Sequence, residues 1–445
     1  MKFNPKKFIE EVKKKNHNEP EFIQAVKEVV FSLEDFLNQN PIYVENKILE
    51  RLVEPERIII FRVPWVNDKG EIQINRGYRV QFNSALGPYK GGLRFHPTVN
   101  LSILKFLGFE QVFKNSLTGL PLGGGKGGSD FDPHNKSDGE IMRFSQSFMS
   151  ELYRHIGPNI DVPAGDIGVG NKEIGYLFGQ YKKLTKDFSG VLTGKGLEWG
   201  GSNIRTEATG YGLIYFVEEM LNLYNDKIEG KTILISGSGN VAQHAAEKAV
   251  QLRGKVITMS DSSGTIYDKN GLNQEKIDYI KKIKNVKKGR IKEYLNRYKA
   301  EYLESKNPWS IKANIALPCA TQNEISKEDA KKLINNGIIL VAEGSNMSST
   351  PEAIKMFIKN NVLFSPGKAS NAGGVAVSGL EMSQNSIRTQ WSREQVDVEL
   401  KKIMKNIHQK VIKYGKQNEK IDYVKGANVA GFKRLADSIL AQGIV

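Results

Sequence analysis

Cysteine is nearly absent from this chain, since Cys319 is the only one among 445 residues. A lone cysteine excludes an internal disulfide and a zinc site built on thiolates, and at this position it favours a small packing residue. Histidine is also scarce: the six copies stand singly, without an H-E-x-x-H or similar spacing. We therefore expect no metal site.

Long apolar runs are missing as well. No run approaches the ~18 apolar residues of a membrane-spanning helix. The basic N-terminal stretch MKFNPKKFIEEVKKKN contains Glu10 and Glu11, has no apolar segment after it and includes no arginine, which argues against a signal peptide or an organellar transit peptide. These absences favour a cytoplasmic protein without a membrane partner, whose first residues form an amphipathic helix.

Acidic residues are outnumbered: 49 Asp and Glu stand against 64 Lys and Arg, a formal net charge of +15. A basic balance suits nucleic acid, an anionic membrane face or small anionic ligands. Much of the excess lies in KIDYIKKIKNVKKGRIKEYLNRYK, residues 276–299, where Ile and Tyr recur at roughly helical spacing, as is typical of a solvated helix face. Because no nucleic-acid motif accompanies this segment, nucleic-acid binding is only a remote alternative.

Glycine, by contrast, is concentrated in PLGGGKGGSDF, residues 121–131, where five glycines surround Lys126. This is not the phosphate loop G-x-x-x-x-G-K-[ST], because Leu120 stands where the first glycine belongs and Gly127 replaces the hydroxyl residue. Two interpretations stay open. The segment is a flexible surface turn, or its glycines allow a lysine to be pressed against a small substrate.

The length of the chain favours two domains. The first part contains RIIIFRVPWV and the alternating EIQINRGYRVQFN among helical patterns, which predicts an α/β domain with a mixed sheet. The GGS sequence at residues 200–202 is a candidate boundary or hinge.

The second part contains KTILISGSGNVAQHAAEKAVQLRGKVITMSD. A strand at 231–236 runs into a G-x-G-x-x-A turn, a helix and a second strand at 255–260, which is closed by Asp261. This order predicts a Rossmann-like, doubly wound dinucleotide-binding domain, whose glycines let a pyrophosphate approach the start of the helix. An empty structural copy of the same fold is the alternative.

Four charged side chains of the first part lie in glycine-rich or turn-like sequence. They are Lys90 in GPYKGGLRF, Lys114 in FEQVFKNSL, Lys126, and Asp166 in DVPAGDIGVG. Each lysine alone is more often a surface residue. Together they indicate an anion-binding pocket with a titratable lysine–aspartate pair.

These stretches carry a resemblance to a known family, together with RTEATGYG, SGSGNVAQ, SDSSGTIYD, ALPCATQNEI, EGSNM and NAGGVAVSGLEMSQN. The chain resembles the hexameric glutamate dehydrogenases of the Glu/Leu/Phe/Val dehydrogenase family, in particular the NADP-type small-subunit branch. The resemblance covers most of the chain, in the order of the family. It implies a substrate-binding and oligomerisation domain at 1–200, completed by a C-terminal helix at 421–445, and a dinucleotide-binding domain at 201–420.

The activity that the resemblance implies is the reversible oxidative deamination of L-glutamate to 2-oxoglutarate and ammonium, in nitrogen assimilation by a cytoplasmic homohexamer. By motif, Lys90 and Ser378 would hold the side-chain carboxylate. Lys114 and Gln111 would hold the α-carboxylate, and the backbone near Gly165 would orient the substrate. Lys126 would be the catalytic lysine and Asp166 the proton shuttle. A related dehydrogenase for branched or aromatic amino acids would not need the second carboxylate clamp.

Two arguments about the identity of the nicotinamide cofactor disagree. An acid that closes the second strand, here Asp261, favours NAD by binding the ribose 2′-hydroxyl. By resemblance, SDSSG is the NADP-type pattern, in which Ser262, Lys284 and Arg290 would meet the 2′-phosphate. We expect NADP, and an NAD-preferring glutamate dehydrogenase is the alternative. The further residues that the resemblance assigns to the cofactor are Arg205, Thr209, Gly237, Gly239, Asn240, Val241 and Asn346.

Overall fold

The computed structural model describes residues 2–418 and 420–445. Within these ranges no helix combines the length and the apolar character that crossing a membrane requires. The helices are α1 (Pro5–Lys15), α2 (Pro20–Gln39), α3 (Pro41–Glu45), α4 (Ile48–Leu52), α5 (Leu101–Thr118), α6 (Asp138–Leu152), α7 (Asn171–Thr185), α8 (Ala208–Asn222), α9 (Asn240–Gln251), α10 (Gln274–Lys281), α11 (Lys327–Asn335), α12 (Pro351–Lys359), α13 (Gly367–Ser370), α14 (Gly373–Ser386), α15 (Arg393–Gly415) and α16 (Tyr423–Gln442).

The strands are β1 (Arg57–Val66), β2 (Ile72–Asn83), β3 (Tyr89–Phe95), β4 (Gly124–Ser129), β5 (Asp161–Gly165), β6 (Thr232–Ile235), β7 (Lys255–Val256), β8 (Thr258–Asp261), β9 (Gly264–Tyr267), β10 (Glu301–Glu304), β11 (Ile315–Leu317), β12 (Leu340–Ala342), β13 (Leu363–Ser365), β14 (Lys416–Gln417) and β15 (Lys420–Ile421). Two compact units contain them. The first comprises the residues up to Arg205 with Val375–Val396 and Asn428–Val445, and the second comprises Thr206–Gly374 and Asp397–Ala427. The division at residues 200 and 420 that the sequence suggests stays a prediction.

The first unit is built on a mixed five-stranded sheet with the order β1-β2-β4-β3-β5. Strand β2 is antiparallel to both β1 and β4, whereas β3 is parallel to both β4 and β5. One face packs against α6 and α7 through a core that includes Trp65, Phe95 and Phe144. The opposite face packs against α5, where Phe82 and Phe109 are in contact. The predicted mixed α/β architecture is confirmed.

The glycine-rich segment around Lys126 is the buried strand β4, inside the sheet, and the interpretation as a flexible surface turn is wrong. The glycines are needed because the neighbouring chains lie unusually close. A Cβ atom on Gly91 of β3 would lie 1.6 Å from the carbonyl oxygen of Gly125. A Cβ atom on Gly124 would lie 2.3 Å from a methyl group of Val112 on α5. Missing side chains therefore bring β3, β4 and α5 together around the lysine.

The second unit contains a parallel sheet with the order β13-β12-β11-β6-β7. The strand order reverses between β6 and β11, because β7 follows β6 on one side while the later strands extend on the other. In such sheets the point of reversal is where the carboxyl ends of the strands bind ligands. The predicted Rossmann-like, doubly wound fold is confirmed.

Two details of the second unit differ from the sequence pattern. The single strand expected at 255–260 is divided into β7 and β8, and β8 pairs with β9 in a small antiparallel sheet, β10-β9-β8. At this break a side chain takes part in the hydrogen bonding to β6. The Thr258 hydroxyl accepts from the Ile235 N–H at 3.0 Å and donates to the Ile235 carbonyl oxygen at 3.2 Å. The basic segment is not one helix either, because α10 gives way to a π-helical turn at Lys282–Val286 and a 3-10 helix at Ile291–Asn296.

Candidate active site

Lys126 and Asp166 form an ion pair at the centre of the first unit. Lys126 lies on β4 and Asp166 follows β5, and the Nζ atom of the lysine is 2.8 Å from Oδ2 of the aspartate. Arg94 on β3 donates from Nε to the same oxygen at 2.9 Å. A Cβ atom on Gly92, between them, would lie only 3.2 Å from Lys126 Nζ. The absence of that side chain leaves room for the pair.

The two members of the pair influence each other's protonation. Burial is the largest effect on Lys126 and lowers its pKa; Arg94 acts in the same direction and the Asp166 carboxylate opposes it. Burial raises the pKa of Asp166, but Lys126 and Arg94 outweigh it and hold that pKa below its usual range. The aspartate is therefore ionised near neutral pH. The lysine releases its proton more easily than an exposed lysine would.

The conformation that presents Asp166 depends on Gly165, the last residue of β5. The following turn is closed by a hydrogen bond from the Val169 N–H to the Asp166 carbonyl oxygen at 2.9 Å. A Cβ atom on Gly165 would lie 2.4 Å from the carbonyl oxygen of Val169. A side chain at this position would therefore open the turn and move the aspartate.

Lys90 belongs to a first group of polar side chains near the pair. The lysine is 1% exposed, and its Nζ donates to the Val162 carbonyl oxygen at 2.9 Å and to Thr193 Oγ1 at 2.8 Å. An ammonium group has three donors. Two of them bind described residues, which leaves the third for a ligand. Burial, followed by the charge of Arg205, lowers the pKa of Lys90 well below its usual value. Arg205 in turn donates from Nε to Ser378 Oγ at 2.8 Å.

Gln111 and Lys114 form a second group on α5. They are three residues apart and therefore share a face of the helix. A Cβ atom on Gly91 would lie 3.4 Å from Cγ of Gln111, so this face is turned toward β3. Gln111 donates to Asn115 Oδ1 at 2.7 Å, and Asn115 donates to the Lys90 carbonyl oxygen at 3.1 Å. Lys90 on β3 and the Gln111–Lys114 face of α5 thus lie on two elements that contact each other and β4.

Sequence reasoning did not identify Arg94, Thr193 or the buried pair of Lys195 and Glu381. For Arg94 a signal was available, because residues 90, 92 and 94 of one strand point to the same face. That alternation places Arg94 beside the lysine subsite as soon as GPYKGGLRF is read as a strand. The other three become neighbours only through the fold.

The second unit places the G-x-G-x-x-A turn between β6 and α9, at the point of strand reversal. Gly237 has φ +82°, and a Cβ atom there would lie 2.9 Å from the carbonyl oxygen of Cys319. Gly239 is the N-cap of α9 and supplies no side-chain cap, and no described atom lies within 4 Å of where its Cβ would be. The first N–H groups of α9 can therefore receive a pyrophosphate.

The carboxylate of Asp261, at the end of β8, accepts hydrogen bonds from four donors of the chain itself. Oδ1 accepts from the Ser263 N–H at 2.9 Å and from its hydroxyl at 2.6 Å. Oδ2 accepts from Lys284 Nζ at 3.0 Å and from the Ile291 N–H at 2.8 Å. Burial raises the pKa of Asp261, but these donors outweigh it and hold the pKa at about 2. Since a carboxylate has about four acceptor positions, little capacity is left for a ribose hydroxyl.

The basic segment supplies two cations beside this carboxylate. Arg290 donates from Nη1 to Ser262 Oγ at 2.7 Å, and Lys284 also donates to the Gly289 carbonyl oxygen at 2.9 Å. Ser262 and Arg290 are exposed and Lys284 is half-buried. A hydroxyl flanked by two cations suits a phosphate group better than it suits a neutral hydroxyl.

The remaining residues assigned to the cofactor divide between the two units. Thr209 on α8, Asn240 and Val241 on α9, and Asn346 after β12 belong to the second unit. Arg205 belongs to the first unit, where its partner is Ser378. Its assignment to the nicotinamide stays a prediction. Cys319 is buried against Gly344, and burial raises the pKa of its thiol well above the usual value, as expected for a packing residue.

A parallel dinucleotide-type sheet and a buried lysine–aspartate pair flanked by cations define the class of dinucleotide-dependent dehydrogenases with two domains. Comparison with family models agrees. Residues 55–183 match the Glu/Leu/Phe/Val dehydrogenase dimerisation domain, and residues 200–443 match the Glutamate/Leucine/Phenylalanine/Valine dehydrogenase domain. The chain belongs to the Glu/Leu/Phe/Val dehydrogenase family.

Characterised relatives match along nearly the whole chain. An NAD(P)-specific glutamate dehydrogenase of Xylanibacter ruminicola is 60% identical, over 98% of both chains. An NADP-specific glutamate dehydrogenase of Haemophilus influenzae is 58% identical, again over 98% of both. The crystal structure of the glutamate dehydrogenase of Plasmodium falciparum superposes with a TM-score of 0.97 at 55% identity, covering 99% of this chain and 95% of that one.

Proposed function

We propose that this chain is an NADP-dependent glutamate dehydrogenase, which interconverts L-glutamate and 2-oxoglutarate plus ammonium. The observation that carries the proposal is the pair of cationic groups around Lys126 and Asp166 in the first unit, one at Lys90 and one at Lys114. A substrate with two carboxylates needs two such groups besides the catalytic one. The names of the relatives at 57–60% identity support the same reaction.

In this proposal the side-chain carboxylate of the substrate binds Lys90 and Ser378, with Arg205 supporting the serine. The α-carboxylate binds Lys114 and Gln111. The backbone near Gly165 orients the substrate through the turn that presents Asp166. An amino acid with an apolar side chain would leave the third donor of the buried Lys90 ammonium without an acceptor, which disfavours a branched or aromatic substrate.

The chemistry follows from the coupled lysine–aspartate pair. When bound, NADP would supply the acceptor for the hydride that leaves Cα of glutamate, and the substrate would become an iminium ion. Lys126 takes a proton from the water that adds to this carbon, because burial lowers the pKa of its amine. Asp166 transfers protons to and from the nitrogen, and ammonia leaves as the carbonyl forms. Because Lys126 and Asp166 form an ion pair at 2.8 Å, their titration is coupled, and a proton taken up or released belongs to the pair rather than to either residue alone.

The second unit fits the cofactor, and its polar residues favour the phosphorylated form. The uncapped start of α9 would hold the pyrophosphate, and Ser262, Lys284 and Arg290 would hold the 2′-phosphate. Asp261 contributes by holding Lys284 and leaves few acceptor positions for a 2′-hydroxyl. Relatives of similar identity are named NADP-specific, NAD-specific and NAD(P)-specific, so the preference is a property to measure on this chain.

We also propose a homohexamer, on the strength of the family resemblance and of a dimerisation-type domain at 55–183. One exposed face supports assembly through this domain. Strand β1 is an edge strand of ten residues, and on its uncovered side it exposes apolar residues together with β2, namely Ile58, Ile60, Val66, Ile72 and Ile74. A long apolar edge of this kind is usually covered by another chain. The cytoplasmic location and the role in nitrogen assimilation stay predictions.

The test is the loss of reduced-nicotinamide absorbance with 2-oxoglutarate and ammonium, with NADPH and NADH assayed in parallel. A branched-chain 2-oxo acid serves as the control substrate. We expect turnover with 2-oxoglutarate, a lower KM for NADPH than for NADH, and little turnover with the control. A preference for NADH would retain the reaction and overturn the assignment of the 2′-phosphate site. Turnover only with the branched substrate would overturn the assignment of Lys90 and Ser378.

A further inference from the structure

Glu381 is a buried carboxylate close to the substrate site to which no role has been given so far. It lies on α14, one helical turn after Ser378, and is 0% exposed. Oε2 accepts from the Gly194 N–H at 3.0 Å. Oε1 accepts from the Lys195 N–H at 3.3 Å and from Lys195 Nζ at 2.9 Å. A fully buried carboxylate with three donors from one loop is held in a single position.

The loop that Glu381 holds is the one that supports Lys90. Thr193, which accepts from Lys90 Nζ, is the residue immediately before Gly194. The same loop is fixed to β5 by the Thr193 N–H, which donates to the Pro163 carbonyl oxygen at 2.9 Å. Lys195 Nζ also donates to the Leu192 carbonyl oxygen and closes the loop on itself. A chain of contacts therefore runs from Glu381 through residues 192–195 to the Lys90 ammonium.

The region around Lys90 carries an excess of buried positive charge. The charged groups that act most strongly on Lys90 are Arg205, Arg79, Glu381 and Lys195. Neighbouring elements carry further charged groups, namely Arg76 on β2, Arg94 on β3, Lys105, Glu110 and Lys114 on α5, Lys126 on β4, Asp161 on β5 and Asp166 after it. Asp161 is bound by Arg79, and Asp166 is bound by Lys126 and Arg94. The carboxylate with the largest effect on Lys90 is Glu381.

We propose that Glu381 is a positioning residue of the carboxylate subsite. It fixes the loop that presents Thr193, and its negative charge keeps Lys90 in the ammonium form that binds a substrate carboxylate. This inference rests on the proposed function, because it assigns to Lys90 the side-chain carboxylate of glutamate or 2-oxoglutarate. It adds that the subsite depends on a carboxylate that never contacts the substrate.

The structure shows in which direction each neighbouring charge shifts the pKa of Lys90. Burial, Arg205 and Arg79 lower the pKa of Lys90, Glu381 raises it, and Lys195 lowers it by less than Glu381 raises it. Removing the charge of Glu381 must therefore lower this pKa further, even where Lys195 also releases its proton. Removing the charge of Lys195 raises it, because the Gly194 and Lys195 N–H groups still stabilise the Glu381 carboxylate in that variant. Since only the protonated form binds a carboxylate, the two changes move the pH limit of substrate binding in opposite directions.

The experiment compares Glu381→Gln with Lys195→Met, which break the same buried ion pair. KM for 2-oxoglutarate is measured across pH 6–10 with saturating NADPH and ammonium. We expect KM to begin its alkaline rise at a lower pH in Glu381→Gln and at a higher pH in Lys195→Met. A displacement of about one pH unit corresponds to about a tenfold change in KM at a fixed alkaline pH. Because neither residue touches the reacting atoms, kcat should change little.

A merely structural role predicts a different pattern, because both variants lose the same contact and would shift in the same direction or not at all. That result would overturn the proposal. Glu381→Asp keeps the charge and loses reach, so we expect it to retain the wild-type pH dependence even where its melting temperature falls. A pH dependence like that of Glu381→Gln would contradict the electrostatic role.

Calorimetric titration with 2-oxoglutarate over the same pH range separates this proposal from the proposed function. The titration needs no turnover, so opposite shifts of the dissociation constant support the role of Glu381 on their own. Absence of NADPH oxidation by the wild-type enzyme would overturn the proposed reaction. Absence of 2-oxoglutarate binding by the wild-type enzyme would overturn both.

Discussion

At the scale of single residues, the reaction depends on Lys126 and Asp166. Lys126→Met keeps the length of the side chain and removes the base, and Asp166→Asn keeps the shape and removes the charge. We expect each to reduce kcat by about 10³-fold or more, because general acid–base groups contribute on this order and these two act together. NADPH affinity, measured by fluorescence titration, should stay close to wild type, since the predicted ligands of its pyrophosphate and 2′-phosphate lie in the second unit.

The matched control for these variants is Lys172→Met, which removes an exposed lysine that pairs with Asp138 at 2.6 Å in the same unit. Surface ion pairs contribute little to stability, so this variant should show wild-type kcat. Near-normal turnover of either Lys126→Met or Asp166→Asn would show that the acid–base roles are assigned to the wrong residues.

The residue scale also shows how far the sequence could lead. Lys90, Lys126 and Asp166 were identified because each lies in a recognisable motif, and their roles follow from charge and from resemblance. Arg94 was missed although it shares a strand face with Lys90, because its contact with Asp166 becomes visible only in the folded chain. The role of Asp261 in the choice between NAD and NADP was ambiguous for a related reason. The sequence gives its position at the end of a strand but not the four donors that occupy its carboxylate.

At the scale of elements, the close contact of β3 with β4 makes a prediction about stability. Gly91→Ala would place a methyl group 1.6 Å from the Gly125 carbonyl oxygen, a backbone atom that moves only with its strand. We expect a loss of at least about 3 kcal/mol in the free energy of unfolding, at the upper end for overpacking a core. Chemical denaturation measures it.

Gly179→Ala is the control for this substitution. Gly179 lies within α7 of the same unit, and no described atom lies within 4 Å of where its Cβ would be. Alanine should stabilise the helix by about 0.5–1 kcal/mol, because it loses less backbone entropy than glycine. Equal stability of the two variants would mean that β3 and β4 can separate without cost.

The basic segment after β9 makes a prediction about cofactor choice. Replacing Lys284 and Arg290 by Gln removes the two cations beside Asp261 and Ser262. We expect KM for NADPH to rise about tenfold or more while KM for NADH stays nearly constant, since charge-assisted contacts to a phosphate are each worth about 1.5–3 kcal/mol. Initial rates with both cofactors at fixed 2-oxoglutarate measure it.

Lys292→Gln is the control within the same segment, because Lys292 is exposed and its acidic partner is Glu304 at 3.7 Å. It lowers the positive charge of the segment without touching Ser262 or Asp261. The same loss with both cofactors in the double variant would indicate a structural defect and would remove these two residues from the phosphate site.

The same segment explains why helical spacing was an incomplete guide. Its isoleucines and Tyr294 are buried as the pattern suggests, among them Ile280 and Ile283, whereas Tyr279 and Tyr298 are partly exposed. The pattern does not reveal that α10 ends in a π-helical turn and that the chain then reaches Asp261 through the Ile291 N–H. Hydrophobic periodicity reports which residues are inside, whereas the path of the backbone depends on tertiary partners.

At the scale of the whole molecule, the sequence predicted two α/β domains, a mixed sheet and a parallel dinucleotide-binding sheet, because strand and helix patterns alternate regularly. It did not reveal that Val375–Val396 groups with the first unit. Within α14 the chain passes from one unit to the other, and an uninterrupted helix carries no turn residue that would mark the change. Contacts between residues distant in sequence are what define these units.

The exposed apolar face of β1 and β2 makes the oligomeric state testable. Ile60 on β1 and Ile74 on β2 lie on the same exposed face, 53% and 66% exposed, at the free edge of the sheet. If this face joins two copies of the chain, Ile60→Lys and Ile74→Lys together place four buried like charges at each two-fold contact, and buried unpaired charges are strongly unfavourable.

We therefore expect the wild-type enzyme to sediment as a hexamer and the double variant to sediment as smaller species, with a lower melting temperature. Light scattering after size-exclusion chromatography gives the same masses independently. Val398→Lys changes an equally exposed apolar residue of the second unit, 65% exposed, and should leave the mass unchanged. A double variant that keeps the wild-type mass would show that the β1–β2 face is not the contact. Assembly would then have to use a different surface of the molecule, and the apolar β1–β2 edge would stay exposed at a cost in solubility.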